Sequence, residues 1–387
     1  MNYLKELFNV IFSSLVSWYV GSEKLIDNRV IITSTRNISY NFNSKYFFEY
    51  LINNPQIHRF DVYYVINDPI KRAQLNEIYN TDRFIQTTSL TGILFCLKAK
   101  YWISSTFELP VNSLHRNVNR IVLHLGHGVP LKKIGLNEEN ITFLKRVNRV
   151  IRTRQFTDIV SYSSHLQGDM MKTFSNITAN YVFLGQPRND NLILDNGSTR
   201  IKLQNIVGSN SDATFILYAP TWRPYAKTKF FPFSIDSQQL NDFLQENNVF
   251  ILTRSHPFYP SIIDESIKTL PNIIDFNSGT APEINDYLAG IDGLITDYSS
   301  IYIDFLVMGR KVAFIPYDLA EYTEKVGFCY PYEEFTPGMK IYDFDTFKAF
   351  LTSDNTHYHV ERNDIMKITN TKAAGNSAEI LKYLQSR

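Results

Sequence analysis

The chain has 387 residues, 44% hydrophobic and 20% charged, which excludes an intrinsically disordered polypeptide and suggests two domains. Its 39 Lys and Arg against 38 Asp and Glu give a formal net charge of +1, which argues against a dedicated nucleic-acid binder but leaves room for a locally basic cleft. Two cysteines, Cys96 and Cys329, are too few for a disulfide framework or a multi-thiolate zinc site.

From the N-terminus, Leu7 to Val20 is mostly apolar, with Leu4, Leu7, Phe8, Ile11, Leu15 and Trp18 at helical spacing. At about 1.5 Å per residue this stretch is shorter than a ~30 Å hydrocarbon core. No basic segment precedes it and no small-residue cleavage pattern follows, so a cleaved signal peptide is not expected. Two readings stay open: a helix packed on the protein's own surface, or one lying in a membrane interface with Trp18 and Tyr19 at headgroup depth.

Beyond it, short β-branched runs alternate with helical patterns. Strands are predicted at Val30–Thr33, Asp61–Ile66, Tyr101–Ser104, Ile121–His124, Ile159–Tyr162 and Tyr181–Leu184. A second series follows at Phe215–Tyr218, Val249–Thr253, Asn272–Asp275, Gly293–Thr296 and Val312–Ile315. Helices are predicted between them, among others at Lys45–Asn53, Pro282–Ala289 and Ser300–Met308. This alternation predicts an α/β protein with parallel sheets, one per series. Turn residues in Asn189–Thr214 read as the break, with the boundary near residue 200. The expectation is two doubly wound, Rossmann-like domains, 1–200 and 201–387, facing across a cleft.

Ligands of such sheets bind beyond the carboxyl ends of the strands. After Ile121–His124 comes Gly126-His127-Gly128, where the glycines permit unusual backbone angles and His127 is placed to act as a general base. His124 reads as structural. Lys132 and Lys133 fit a solvated face somewhat better than a phosphate contact. After Phe215–Tyr218 come Thr221, Trp222 and Arg223, the last suited to a phosphate or to a structural role. After Val249–Thr253 come Arg254, Ser255 and His256. After Gly293–Thr296 come Asp297, Tyr298, Ser299 and Ser300, which open a helix and suggest an anion site, with Asp304 one turn on. No P-loop, nucleophile elbow or metal-ligand spacing is present, and Asp343-Phe344-Asp345 reads as a helix cap rather than a metal site.

His127-Gly128-Val129-Pro130-Leu131-Lys132, Tyr218-Ala219-Pro220-Thr221-Trp222-Arg223, Arg254-Ser255-His256-Pro257 and Thr296-Asp297-Tyr298-Ser299-Ser300 occur in that order, followed by Pro316-Tyr317-Asp318-Leu319 and Pro337-Gly338. Over residues 120–340 this ordered set resembles the CDP-glycerol glycerophosphotransferase family of bacterial teichoic acid and capsule synthesis. One departure is Val129, where that family often has Thr.

The resemblance implies a GT-B-like fold, a CDP-glycerol or CDP-ribitol donor, no cofactor and no metal. It implies a polyprenyl-diphosphate-linked or polymer acceptor at the cytoplasmic face of a membrane. It matches His127 to the catalytic base and His256 to a second essential histidine. Tyr218, Thr221, Arg223, Arg254, Ser255, Thr296, Asp297, Tyr298, Ser299, Ser300 and Asp304 then form the donor site. The competing readings are a nucleotide-sugar glycosyltransferase, which would release a nucleoside diphosphate instead of CMP, and a non-catalytic polymer-binding module.

Overall fold

The computed structural model describes residues 3–20, 24–139, 141–209, 212–255, 259, 261–370 and 372–387, with backbone alone for residues 3–9. The chain forms two compact units. The first comprises Met1–His127, Ile134–Arg188 and Gly375–Arg387, and the second Gly128–Lys133 and Asn189–Ala374.

The first unit is built on seven strands: β1 (Ile26–Thr33), β2 (Asp61–Val65), β3 (Phe84–Ile85), β4 (Ala99–Ser104), β5 (Ile121–His124), β6 (Asp158–Ser161) and β7 (Asn180–Phe183). They form one sheet in the order β3-β2-β1-β4-β5-β6-β7, and every pairing is parallel. Val30, Ile31 and Ile32 on β1 and Val122 and Leu123 on β5 are fully buried. Runs apolar on both faces are what a parallel sheet covered by helices demands.

The second unit carries β8 (Thr214–Tyr218), β9 (Thr228–Lys229), β10 (Val249–Thr253), β11 (Ser261–Ile262), β12 (Ile273–Asp275), β13 (Gly293–Thr296), β14 (Lys311–Phe314) and β15 (Met339–Lys340). Six of them form a parallel sheet in the order β12-β10-β8-β13-β14-β15, and β9 and β11 pair separately. Its core gathers Ile216, Ile251, Ile295 and Ala313 from the sheet and Leu240, Phe347 and Phe350 from helices.

The two parallel α/β units were legible in the strand pattern, and most strand ends fall within a residue or two of expectation. The short strands β3, β9, β11 and β15 were not expected, and three further features differ. The stretch read as a linker, Asn189–Thr214, instead carries two helices, Pro187–Leu194 and Ser198–Val207. Between them Asp195 accepts from the Ser198 and Thr199 hydroxyls at the start of the second helix. The chain accordingly crosses between units at Arg188–Asn189 rather than near residue 200, and it returns, because Gly375–Arg387 belongs to the first unit. Asp158, buried in β6, accepts from Tyr383 at 2.6 Å and pairs with Arg387 at 3.2 Å, which fastens that last helix. The helix expected over Pro282–Ala289 is two short 3-10 turns, Ile284–Asp286 and Leu288–Gly290.

Asp343 caps the helix Phe344–Thr352 in a capping box with Thr346, as its spacing suggested. Cys96 is buried, and burial pushes its thiol up to about 12; Cys329 is half-buried.

Candidate functional site

At the end of β5 the backbone turns sharply through Leu125, Gly126, His127 and Gly128. Gly126 has φ +72°, and a Cβ there would lie 1.8 Å from the Tyr162 hydroxyl. Gly128 has φ +135°. Neither position accepts a side chain without strain.

Buried side chains from other elements fix this turn. Tyr162 donates to the Leu125 carbonyl at 2.9 Å. The Asn43 amide donates to the carbonyls of Leu125 at 3.3 Å and Gly126 at 2.9 Å. Its oxygen accepts the Arg188 N–H, and the Arg188 guanidinium donates to the His127 carbonyl at 2.9 Å.

The His127 side chain itself is exposed. Its Nδ1 stands 3.1 Å from the Ser105 carbonyl oxygen. A carbonyl only accepts, so Nδ1 carries the proton and the lone pair lies on Nε2. The ring rests against Phe42, with centroids 5.3 Å apart. Phe42 has φ +57°, unusual for an aromatic residue, and such strain concentrates at functional sites. With Nδ1 engaged by a carbonyl and the backbone fixed, Nε2 is the nitrogen placed for general-base work.

His124, three residues earlier, is buried among Phe107, Phe156 and Phe174. Burial drives its pKa well below the usual value, with the nearby His127 adding to the effect. It is a core residue, as expected.

The strand ends of the second unit are arranged differently. Tyr218 is buried between Phe230 and Phe231, and its oxygen accepts the Phe231 N–H. Arg223 has a fully buried side chain. Its Nε and Nη2 donate to Asp318 at 3.0 and 2.7 Å, and its Nη1 donates to Asp297 at 2.5 Å. Tyr298 and Tyr317 face the guanidinium, 4.9 and 4.7 Å from ring centre to Cζ. Tyr298 and Tyr225 donate to Asp318, and Tyr332 donates to the Asp297 carbonyl. Burial alone would lift the Asp318 carboxyl, but the Arg223 and tyrosine hydrogen bonds hold it below the ordinary carboxylate range. Asp297 also accepts the Thr221 N–H at 2.8 Å, while the Thr296 hydroxyl donates to the Ala219 carbonyl at 2.7 Å.

These contacts show what the residues expected at the donor site do within the unit. Tyr218, Arg223, Thr296, Asp297 and Tyr298 are internal fasteners, and their polar atoms bind one another. Thr221 is buried with its backbone engaged, and Asp304 is also buried. Arg254 is half-buried with its guanidinium on the Phe276 and Ala281 carbonyls.

Ser255, Ser299 and Ser300 are half-buried polar side chains at strand ends. The Ser255 hydroxyl contacts that of Ser261, and Ser299 accepts the Ile301 N–H at 3.4 Å. Their helix, Ile301–Leu306, is shorter than expected, and Ser300 makes no side-chain cap. His256 lies outside the described residues. Trp222, half-buried, stacks on Tyr259 with centroids 4.2 Å apart. Among the described residues no group of three His, Cys, Asp or Glu is placed to hold a metal.

Sequence reasoning missed Asn43, Ser105, Tyr162 and Arg188 around His127, and Asp318 beside Arg223. Asn43 and Arg188 carried no local signal. Asp318 stands in one of the ordered segments of the resemblance, but nothing local tied it to Arg223.

Comparison with known proteins bears on this geometry. The family model of CDP-glycerol:poly(glycerophosphate) glycerophosphotransferases matches residues 17–383. A teichoic acid poly(glycerol phosphate) polymerase of Bacillus spizizenii is 26% identical over 348 residues, covering 87% of this chain and 84% of that protein. A teichoic acid ribitol-phosphate polymerase of Staphylococcus aureus is 26% identical over 368 residues, and the match spans 92% of this chain but 61% of that longer protein. Among solved structures, the wall teichoic acid polymerase TagF, soaked with CDPG, superposes with a TM-score of 0.79 at 20% identity, covering 99% of this chain and 96% of that one. A UDP-GlcNAc 2-epimerase of Neisseria meningitidis shares the fold at a TM-score of 0.53 and 10% identity, covering 92% and 99%.

Proposed function

Because the chain belongs to the CDP-glycerol:poly(glycerophosphate) glycerophosphotransferase family, we propose that it transfers glycerol phosphate from CDP-glycerol to an acceptor hydroxyl in teichoic acid synthesis. The observation that carries the reading is the exposed His127, with its lone pair on Nε2 and its backbone fixed by Asn43, Tyr162 and Arg188. Nε2 takes the proton of the acceptor hydroxyl. The oxygen attacks the phosphorus that bears glycerol, the bond to the bridging oxygen breaks, and CMP leaves with that electron pair. Positioning and charge stabilisation supply most of the acceleration in such a transfer. Ser255, Ser299 and Ser300 are the half-buried polar groups on the donor side, and His256, by family resemblance, is the second histidine there.

The test is nucleotide release by the purified chain, with CDP-glycerol, CDP-ribitol and UDP-sugars offered separately beside a bacterial membrane extract. The expected product is CMP from CDP-glycerol. Release of UDP from a sugar nucleotide overturns the reading. The glycerol- and ribitol-phosphate polymerases above are equally identical to this chain at 26%, so CDP-ribitol is the second donor to offer.

Among the described residues no helix is long and apolar enough to cross a membrane. The acceptor is membrane-linked in this reading, and two helices of the first unit suit a membrane surface. On the helix Tyr3–Val20, Ile11, Leu15 and Trp18 are exposed along one face, Trp18 at 70%. Ser14 and Ser17 tie that helix to Leu114 and His115, and the neighbouring Leu114 and Val118 are exposed as well. The helix Phe143–Thr153 exposes Phe143 at 78% and Leu144 at 80%, and it carries Lys145, Arg146, Arg149 and Arg152, of which Lys145 and Arg149 pair with Glu138 and Arg152 with Glu108. A basic amphipathic helix with large apolar groups binds anionic lipid surfaces. Replacing Phe143 and Leu144 together by Ser is expected to weaken sedimentation with phosphatidylglycerol vesicles while leaving turnover of a soluble acceptor unchanged. Undiminished vesicle binding removes this helix from the proposal.

A further inference from the structure

The segment after His127 does not form a solvated face. Gly128–Lys133 belongs to the second unit. Cys329 N–H donates to the Leu131 carbonyl at 2.9 Å, Lys132 pairs antiparallel with Phe328, and Lys133 N–H donates to the Gly327 carbonyl at 3.3 Å. Phe328 belongs to the aromatic cluster of Tyr298, Tyr322 and Tyr332. This docking brings the half-buried Lys132 into the field of Asp297 and Arg223, at the carboxyl end of β13.

Asp297 does not satisfy it. The Asp297 carboxylate already accepts the Thr221 and Tyr298 N–H groups and the Arg223 guanidinium. The Lys132 ammonium makes no hydrogen bond or contact ion pair among the described residues. Burial pushes its pKa down to about 8, with Asp297 pulling the other way and Arg223 adding to the fall. A cation withdrawn from water without a contact partner is costly, and an anionic ligand removes that cost. Its place, beyond a central parallel strand and in the unit that holds Ser299 and Ser300, is where such sheets bind ligands. Arg223 is locked between two carboxylates and is not available for this task.

We propose that Lys132 is the cation that receives the diphosphate of the nucleotide donor, in the place expected for Arg223. The assignment rests on the donor reading above and gives that site its phosphate contact. Lysine serves here as a compact, rotatable point charge, which Arg223 in its fixed fork cannot be.

Calorimetric titration of the full chain with CDP, CMP and cytidine tests it. Wild type is expected to bind CDP roughly tenfold or more tighter than cytidine. K132Q is expected to lose most of that advantage with cytidine affinity unchanged, and K132R to keep it. CDP affinity of wild type should fall as pH rises through about 8, the charged groups facing the ammonium being Asp297 and Arg223, and K132R should remove this fall. A folded K132Q that binds CDP as wild type does overturns the proposal. Should K132Q fail to fold, acetylation of the wild-type chain at pH 8 decides: CDP must protect Lys132, and equal labelling with and without CDP rejects the assignment. Tight binding of UDP with none of CDP overturns the CDP-alditol reading instead, and the Lys132 variants are then scored with UDP.

Discussion

At the end of β5, backbone contacts hold a polar side chain out toward solvent. At the ends of β8 and β13, polar side chains turn inward and bind each other. Both regions look alike in sequence, each a strand followed by small and charged residues. They differ in what the hydrogen bonds grip. Asn43, Tyr162 and Arg188 grip carbonyls around His127 and leave its ring exposed. Asp297 and Asp318 grip the guanidinium of Arg223 itself, so its charge is used inside the unit. A polar residue at a strand end can thus be spent inside its unit or presented at the surface, and local sequence does not distinguish the two.

The sharpest way to break this contrast is Arg223→Met. It strands two carboxylates in a buried site, and loss of one partner of a buried ion pair costs about 3–5 kcal/mol. Urea unfolding followed by tryptophan fluorescence should show a large loss of stability. A stable Arg223→Met that has lost only donor affinity would return Arg223 to the donor site. The same cluster sets a pH dependence. The Asp318 carboxyl is held below its ordinary value, so its contribution is complete above the unfolded pKa of about 4 and is lost as pH falls through the lower folded value. Asp318→Asn should flatten the acid limb of the stability profile.

Gly126→Ala attacks the other region. The new Cβ meets the Tyr162 hydroxyl and the backbone sits at φ +72°. A displacement of about 1 Å at a catalytic group can cost on the order of 10²-fold in rate. CMP release should fall by about that much, with partial recovery when Tyr162→Phe is added. Unchanged turnover would mean that the turn tolerates movement and that its rigidity is irrelevant.

The smallest expected effect lies away from both sites. Tyr383→Phe removes one hydrogen bond to the buried Asp158 and should lower the stability of the first unit by about 1–3 kcal/mol. Hydrogen exchange on the last helix is the appropriate measurement. Exchange as slow as in wild type would show that Arg387 alone holds the helix to Asp158.

The strand series and the glycine-flanked His127 were legible because their signals are local: periodicity, β-branching and a paired-glycine turn. The fate of Arg223 was not. Its partners lie 74 and 95 residues away, and no composition rule links them. The same holds for Asn43, 83 residues from the Gly126 carbonyl it binds. The burial of Lys132 was hidden for a related reason. A Lys-Lys pair after a turn is ordinarily solvated, and only the pairing with Gly327–Cys329 draws it inward. Asn189–Thr214 differs for another reason: Asp195, Asn196 and Gly197 suit a domain break and a junction between two helices equally, and here they join helices. The helix Phe143–Thr153 was locally visible in its apolar and basic alternation but was not predicted.

In the proposed reaction His127, and not the buried cluster, performs the proton transfer. CMP release from CDP-glycerol by folded His127→Ala, at saturating acceptor, tests it most directly. General-base loss typically costs about 10²–10⁴-fold, so a fall in that range is expected with an unchanged urea midpoint, because the ring is exposed. Turnover at the wild-type rate would contradict it and would move the base to another residue.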